Sequence, residues 1–471
     1  MYDFALLLAT VFWAVCVLIY LSRPYASIFH PATFYLAFHA LVFVVRPIVA
    51  RIMDYRAIYY FYEFTPSLSD KVTVIFGSML GLAAFLLTCL WTAPVRLEFP
   101  ASDSHQIERR MMVKPFLLVA LACAPIAVWS MASLYGDTLA GRSDMIRDQA
   151  TGIAINTTGN GYFKDAQFML IPLCASLAWL LRFRWWSLLP VGAFIMYRAA
   201  TGARGAFVVA VMSVVLLYLY DRKHLWPRVG TGVALVTLLF GFSLIGEDRG
   251  AGLRKVLSQG VQPGLPTYRE GTSSFMAGMD FANLEYFEYL VYAIPQRTGT
   301  FGYFLNNLAV FTEPVPRVLW SGKPIGPPIQ LYNLFDHGFP LGMTNSLPGE
   351  GWAQLGWAGI IIWCTLAGWF FGWVYRKFAA SRQGGLAVLA YLLFLPSSIF
   401  AFRDGALVSV LKANFFLFIP LLLMVLLMRI LDMPTLSAIS AVPQRQKRAM
   451  TQGGAQTPAE RRRDRAAQWH G

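Results

Sequence analysis

Few residues of this chain are equipped for chemistry, and most of them gather late in the sequence. Glu350 stands in PGEGW at the mouth of an apolar run. A carboxylate there needs a partner or a wet site, and it reads equally as a general base or as a helix N-cap whose charge suits the helix dipole. Asp336 and His337 are adjacent in LFDHGFP and are two further candidate bases, and Asp280 lies in the aromatic segment upstream. A lone histidine is more often structural than catalytic. Arg204 sits in YRAATGARGAF between Gly202 and Gly205, with Arg198 half a dozen residues earlier. Glycines let backbone approach a ligand and a guanidinium grips phosphate oxygens in pairs, but an arginine at a membrane boundary also snorkels to headgroups. Arg317 and Lys323 stand in a proline-rich stretch, while Arg249, Arg254 and Lys255 follow an apolar run. Each reads alone as solvated charge. Together with Arg204 they suggest a pocket for a pyrophosphate or sugar phosphate.

The stretch that would hold these groups runs from Thr298 to Gly359. Pro314, Pro316, Pro324, Pro327 and Pro328 rule out a helix interior there. Irregular backbone beside a bilayer survives only where it lines a cavity or is buried in protein, so this loop is the expected site of chemistry.

Composition sets the class. The chain has 57% hydrophobic and 14% charged residues, against roughly 25% charged in soluble domains, which predicts an all-α polytopic membrane protein. The net charge of +14 is carried mostly by short loops between apolar runs, the topogenic pattern rather than a phosphate-binding face, so nucleic acid is not expected as a partner. The lipid bilayer is. All five cysteines lie in apolar runs, which gives no support to a disulfide framework or a thiolate metal site. No metal and no cofactor is expected.

Apolar runs near bilayer length predict about eleven spans. Residues 1–246 would hold spans one to eight, 247–349 one large periplasmic loop with short helices, 350–431 spans nine to eleven, and 432–471 a disordered basic tail. The loop carries seven Lys/Arg and eight Asp/Glu, and its segment FMAGMDFANLEYFEYLVYA is expected to lie as helix in the membrane interface. Basic residues in alternate short loops, such as Arg109, Arg110, Arg182, Arg184, Arg222 and Lys223, mark the cytoplasmic side. The amino terminus is then periplasmic and the carboxyl terminus cytoplasmic, in a bacterial inner membrane. The first apolar run lacks a basic start and a cleavage site and reads as a retained span.

No Walker, Rossmann, HExxH or nucleophile-elbow motif occurs. The segments TGARGAF, FGYFLNNLAVFTEPVPRVLWSGKP and GMTNSLPGEGWAQLGWAGI, however, resemble the Wzy-type O-antigen and exopolysaccharide repeat-unit polymerases, and more distantly the O-antigen ligases. That resemblance implies a metal-independent, lipid-carrier-dependent glycosyltransferase of the GT-C-like kind. It would move a growing glycan from undecaprenyl pyrophosphate onto the next lipid-linked unit at the periplasmic face, with a chain-length regulator as a candidate partner. Arg204, Arg317, Lys323, Arg249 and Arg254 would bind the pyrophosphate, and Glu350, His337 or Asp336 would be the base. The alternatives are a ligase passing glycan to another acceptor and, from another class, a lipid-linked sugar flippase or exporter. The absence of repeated halves weighs against the last.

Overall fold

The computed structural model describes residues 1–53, 57–99, 102–139, 145–147, 154–156, 161–200, 204–230, 232–233, 281–315, 319–320, 322–324, 326–338, 344–381 and 383–431. Asp280, Arg249, Arg254, Lys255, Arg317, nearly all of the eighth expected span, most of the first half of the large loop and the 432–471 tail lie outside them.

Among the described residues the fold is helical apart from a hairpin of β1 (Met145–Arg147) and β2 (Ala154–Asn156). Its main helices are α1 (Tyr2–Leu21), α2 (Pro31–Ile52), α3 (Leu68–Thr92), α4 (Ser102–Leu139), α5 (Leu170–Leu180), α6 (Leu189–Ala200) and α7 (Arg204–Asp221). After the large loop opens come α8 (Asn283–Ala293), α9 (Leu347–Ala380), α10 (Gly385–Asp404) and α11 (Leu407–Ile430). Among the described residues seven helices, α1 to α4 and α9 to α11, are long and apolar enough to cross a membrane, so the chain is a multi-pass membrane protein. The twelve residues of α6 rise only about 18 Å, short of a hydrocarbon core of about 30 Å.

Local sequence explains the boundaries. Ser67 and Asp70 form a capping box at the start of α3, with Asp70 N–H donating to Ser67 Oγ at 3.1 Å and Ser67 N–H donating to Asp70 Oδ2 at 2.8 Å. Within α2, Ala40–Val45 is wound as π-helix and ends two residues before Pro47. The missing proline N–H leaves the α-ladder one bond short, and the wider turn absorbs the defect.

The central pair is α3 with α9. Lipid supplies little hydrophobic drive between helices, so close backbone approach through small residues does the work. A Cβ added at Gly368 would fall 2.4 Å from the Phe85 carbonyl oxygen, one at Gly372 3.1 Å from that of Cys89, and one at Gly81 2.9 Å from Pro348 Cβ. One core cluster surrounds α1, α2, α3, α8 and α9 as far as Phe371. A second joins α4, α5, α7 and α11, and α10 contributes to both: Leu389 and Leu392 to one, Ala401 and Phe402 to the other.

The described part of the aromatic segment of the large loop is covered by protein rather than laid against lipid, which corrects the expectation of a helix with its apolar face in the bilayer interface. In α8, Leu284, Phe287, Tyr289, Leu290 and Val291 are all buried. Phe287 reaches the space that Gly77 leaves on α3 and packs on Trp352 of α9. A helix apolar on nearly every side belongs in a core, and its acidic residues are buried with partners described below.

Candidate active site

α9 is two helices joined by a break. Leu355 (φ −154°, ψ 27°) and Gly356 (φ 59°, ψ −135°) leave helical geometry, the positive φ being one that glycine adopts without strain. The chain doubles back there. Residues eight apart in a straight helix lie about 12 Å from each other, yet a Cβ on Gly359 would fall 2.0 Å from the Gly351 carbonyl oxygen. Leu347–Gln354 is thus a short half-helix lying against the start of the longer one.

A break exposes carbonyls, and in a membrane protein they need donors. Gly302 N–H donates to the Ala353 carbonyl at 2.9 Å and Tyr303 N–H to that of Gln354 at 3.0 Å. The half-helix is further pinned by Trp352 Nε1–H to the Ile294 carbonyl at 3.0 Å, and the longer helix by Trp363 Nε1–H to that of Gly405 at 2.9 Å. Residues 294–303 of the large loop therefore wrap the break.

Glu350 sits inside this wrapping and is buried. It is not the N-cap. Ser346 is, with its Oγ accepting from Gly349 N–H at 3.2 Å, and Glu350 stands a full turn inside. Asn345 Nδ2 donates to its Oε2 at 2.8 Å, and Gln354 Nε2 donates to its Oε1 at 2.7 Å. Both amides are locked. Asn345 Oδ1 accepts from Ser346 N–H at 2.8 Å, and Gln354 Oε1 accepts from Phe304 N–H at 2.6 Å, so each must turn its NH₂ toward the carboxylate. Among the described residues no lysine, arginine or histidine pairs with Glu350. Each carboxylate oxygen receives one such donor and retains acceptor capacity.

Neighbouring elements close the site. Asn283 of α8 donates to the Asn345 and Arg403 carbonyls, tying the Glu350 loop to the end of α10. Gly405, at φ 69° in the turn from α10 to α11, fits against Glu350: a Cβ there would meet Glu350 Cβ at 2.7 Å. Burial first, and the Glu350 carboxylate second, push the Tyr286 and Tyr332 hydroxyls well above the usual phenol range. Both therefore remain donors.

The other candidates have different settings. Asp336 and His337 lie on a 3₁₀ turn, Leu334–His337, with Asp336 exposed and accepting from Asn333 Nδ2 at 3.2 Å. Neither is a hydrogen-bond partner of Glu350. Lys323 turns back into its own loop, where its ammonium donates to the Glu313 and Val315 carbonyls, both at 3.1 Å, and lies 3.4 Å from Glu313 Oε2. Arg204 is the first residue of α7. Arg198 is buried, its Nη1 donating to Gln167 Oε1 at 2.6 Å and its guanidinium 5.5 Å from the Phe168 ring. Comparison with known protein families, characterised proteins and solved structures finds no match.

Beside the Lys323–Glu313 pair lies a largely apolar cavity of about 540 Å³, bounded by Tyr162, Glu313, Pro314, Leu411, Lys412 and Phe415. Lys412 is 3.6 Å from Asp165 Oδ2 at its edge, and Lys323 reaches the same Glu313 from the loop side. Burial raises the Asp165 carboxyl, while Lys412 works against that rise. Among the described residues no three His, Cys, Asp or Glu side chains converge to hold a metal.

Sequence reasoning singled out Glu350 but missed the amides that hold it. Gln354 carried a signal, since four residues along a helix is the same face. Asn345 carried none, because only the loop fold brings it back.

Proposed function

We propose that the chain is a repeat-unit polymerase acting on undecaprenyl-pyrophosphate-linked oligosaccharides, with about eleven spans and its large loop on the periplasmic side of the inner membrane. The observation that carries this reading is Glu350, a buried carboxylate held at a helix break by two amides, with no cation to neutralise it among the described residues.

In this reading an acceptor sugar hydroxyl takes the free acceptor position on Glu350. The carboxylate receives its proton as the hydroxyl oxygen bonds to the anomeric carbon of the growing glycan. The bond from that carbon to the pyrophosphate oxygen breaks, and the lipid pyrophosphate leaves with the negative charge. Arg204 and Arg317, with Lys412 beside the cavity, are the groups to stabilise that charge. Lys323 serves by closing its loop over Glu313. The apolar cavity suits an isoprenoid chain, with cations at its polar edge. Asp336 and His337 are the weaker candidates for the base, because the turn that carries them is half open to solvent.

The test is turnover by the purified protein given only a lipid-linked repeat unit. Lipid-linked chains of two or more units support the polymerase. Product only when a second acceptor is added favours a ligase, and no product under either condition in inserted, folded protein removes the glycosyltransferase reading.

A further inference from the structure

A second cavity, of about 380 Å³, lies between Tyr2, Asp3, Pro47, Ala50, Lys71 and Glu285. It is formed where α1 begins, α2 ends and α3 begins. Three membrane-crossing helices with their ends at one level place the cavity at the depth of lipid headgroups.

Its floor is charged. Arg46 of α2, fully buried, donates through Nε to Glu285 Oε1 at 2.9 Å, and its Nη2 lies 2.8 Å from the same oxygen. Glu285 is 2% exposed, and its second oxygen, Oε2, is buried with no hydrogen-bond partner. A carboxyl oxygen held without a donor in a low-dielectric site favours any N–H group that can reach it. Beside it Glu288 accepts from the Tyr59 hydroxyl at 2.6 Å, and Lys71 Nζ lies 3.0 Å from the same hydroxyl and 4.1 Å from the ring centre. At the lip, Arg51 Nε and Asp3 Oδ1 are 3.1 Å apart and solvent-exposed, a pair that exchanges partners at little cost.

The cavity thus offers an acceptor on its floor, two cations toward its mouth, and Tyr2 and Tyr59 alongside. Those features match a zwitterion carrying a primary ammonium next to a phosphate. The volume is that of about a dozen waters, room for ethanolamine phosphate. A metal ion has no ligand set here, since no three acidic, histidine or cysteine groups converge among the described residues.

We propose that this cavity binds the headgroup of an aminophospholipid, with its ammonium on Glu285 and its phosphate on Lys71 and Arg51. The site is independent of the glycan chemistry assigned to Glu350. A quaternary ammonium has no N–H to give Glu285, so the site discriminates against choline lipids by hydrogen-bond chemistry rather than by charge.

The experiment is native mass spectrometry of the purified full-length chain, equilibrated with equal amounts of phosphatidylethanolamine, phosphatidylcholine and phosphatidylglycerol. Retention of the ethanolamine lipid about tenfold over the choline lipid is expected, the scale of one charge-assisted hydrogen bond. Ala50→Trp, which fills the cavity and leaves Arg46 and Glu285 both present, and Asp3→Asn, at the exposed lip, keep the test readable if Glu285→Gln fails to fold around Arg46. Ala50→Trp should remove the preference, and Glu285→Gln, where folded, should reduce it similarly. Equal retention of the three lipids, preferential retention of phosphatidylglycerol, or a preference that survives Ala50→Trp overturns the proposal. Free phosphoethanolamine is added as a competitor: displacement of the lipid agrees with headgroup recognition, whereas binding of the free compound without any lipid preference assigns the cavity to a soluble ligand instead.

Discussion

Glu350→Gln is the substitution that separates holding from catalysis, because it keeps the side-chain volume and removes the charge. Its cost follows from the two amides. Neither can flip, since Asn345 Oδ1 and Gln354 Oε1 are already committed to the Ser346 and Phe304 N–H groups. The new glutamine can accept from one neighbour but must aim its own NH₂ at the NH₂ of the other, leaving a buried donor unpaired. That costs about 1–3 kcal/mol, read as a loss of unfolding free energy in denaturant. Adding Asn345→Asp supplies the missing acceptor, because the aspartate can take Ser346 N–H on one oxygen and the amide of the introduced glutamine on the other. The double variant should recover most of the stability. If Glu350 is the base, it should recover none of the activity, which falls by about 10²-fold or more on loss of a general base. A single variant as stable as the parent refutes the locked-amide reasoning, and a double variant with parental turnover refutes the assignment of the base.

Three further outcomes are expected. Gly368→Ala places a methyl against the Phe85 carbonyl and should destabilise by about 1–3 kcal/mol, whereas Gly192→Ala, which meets nothing within 4 Å, should be neutral or slightly stabilising; equal losses in a denaturation series would contradict the α3–α9 seam. Burial, with the nearby Glu285 adding to it against Lys71 and the Tyr59 hydroxyl, pushes Glu288 up from 4.5 to about 7. A raised acid binds its extra proton only when folded, so the stability it contributes is full below about pH 4.5 and is lost as pH rises through about 7. Glu288→Gln should flatten that slope and be more stable than the parent at pH 8, by at most about 3 kcal/mol; an unchanged slope in unfolding measured from pH 5 to 8 would count against it. Arg204→Ala and Arg317→Ala should each cut polymer formation strongly while leaving membrane insertion intact, and normal polymer length in both, judged on a gel of lipid-linked products, would remove the pyrophosphate-site idea.

The helices were legible because their signal is local. Apolar runs placed α1, α3, α10 and α11 within a few residues, and the Ser67–Asp70 spacing marks where α3 begins. Glu350 was legible too, as a carboxylate at the mouth of a span. What the run of residues 351–375 concealed was the break in α9. Leu355 and Gly356 look unremarkable in an apolar sequence, and the fold-back depends on donors from Gly302 and Tyr303, which lie some fifty residues earlier. The aromatic segment misled for a related reason: its apolar surface suits lipid as well as protein, and only the gap at Gly77 shows that protein covers it.

By itself the sequence determined a basic, multi-pass helical membrane protein with a proline-stiffened loop before a late span, because transfer of apolar side chains from water depends on composition and period alone. Tertiary structure decided which charges are occupied. Lys323 is folded onto Glu313, Arg46 onto Glu285 and Arg198 onto Gln167, while Glu350 is held by amides and Glu285 keeps one oxygen unpartnered. Those pairings join residues as much as 239 positions apart, and a buried charge finds its partner through space, where no sequence spacing can announce it.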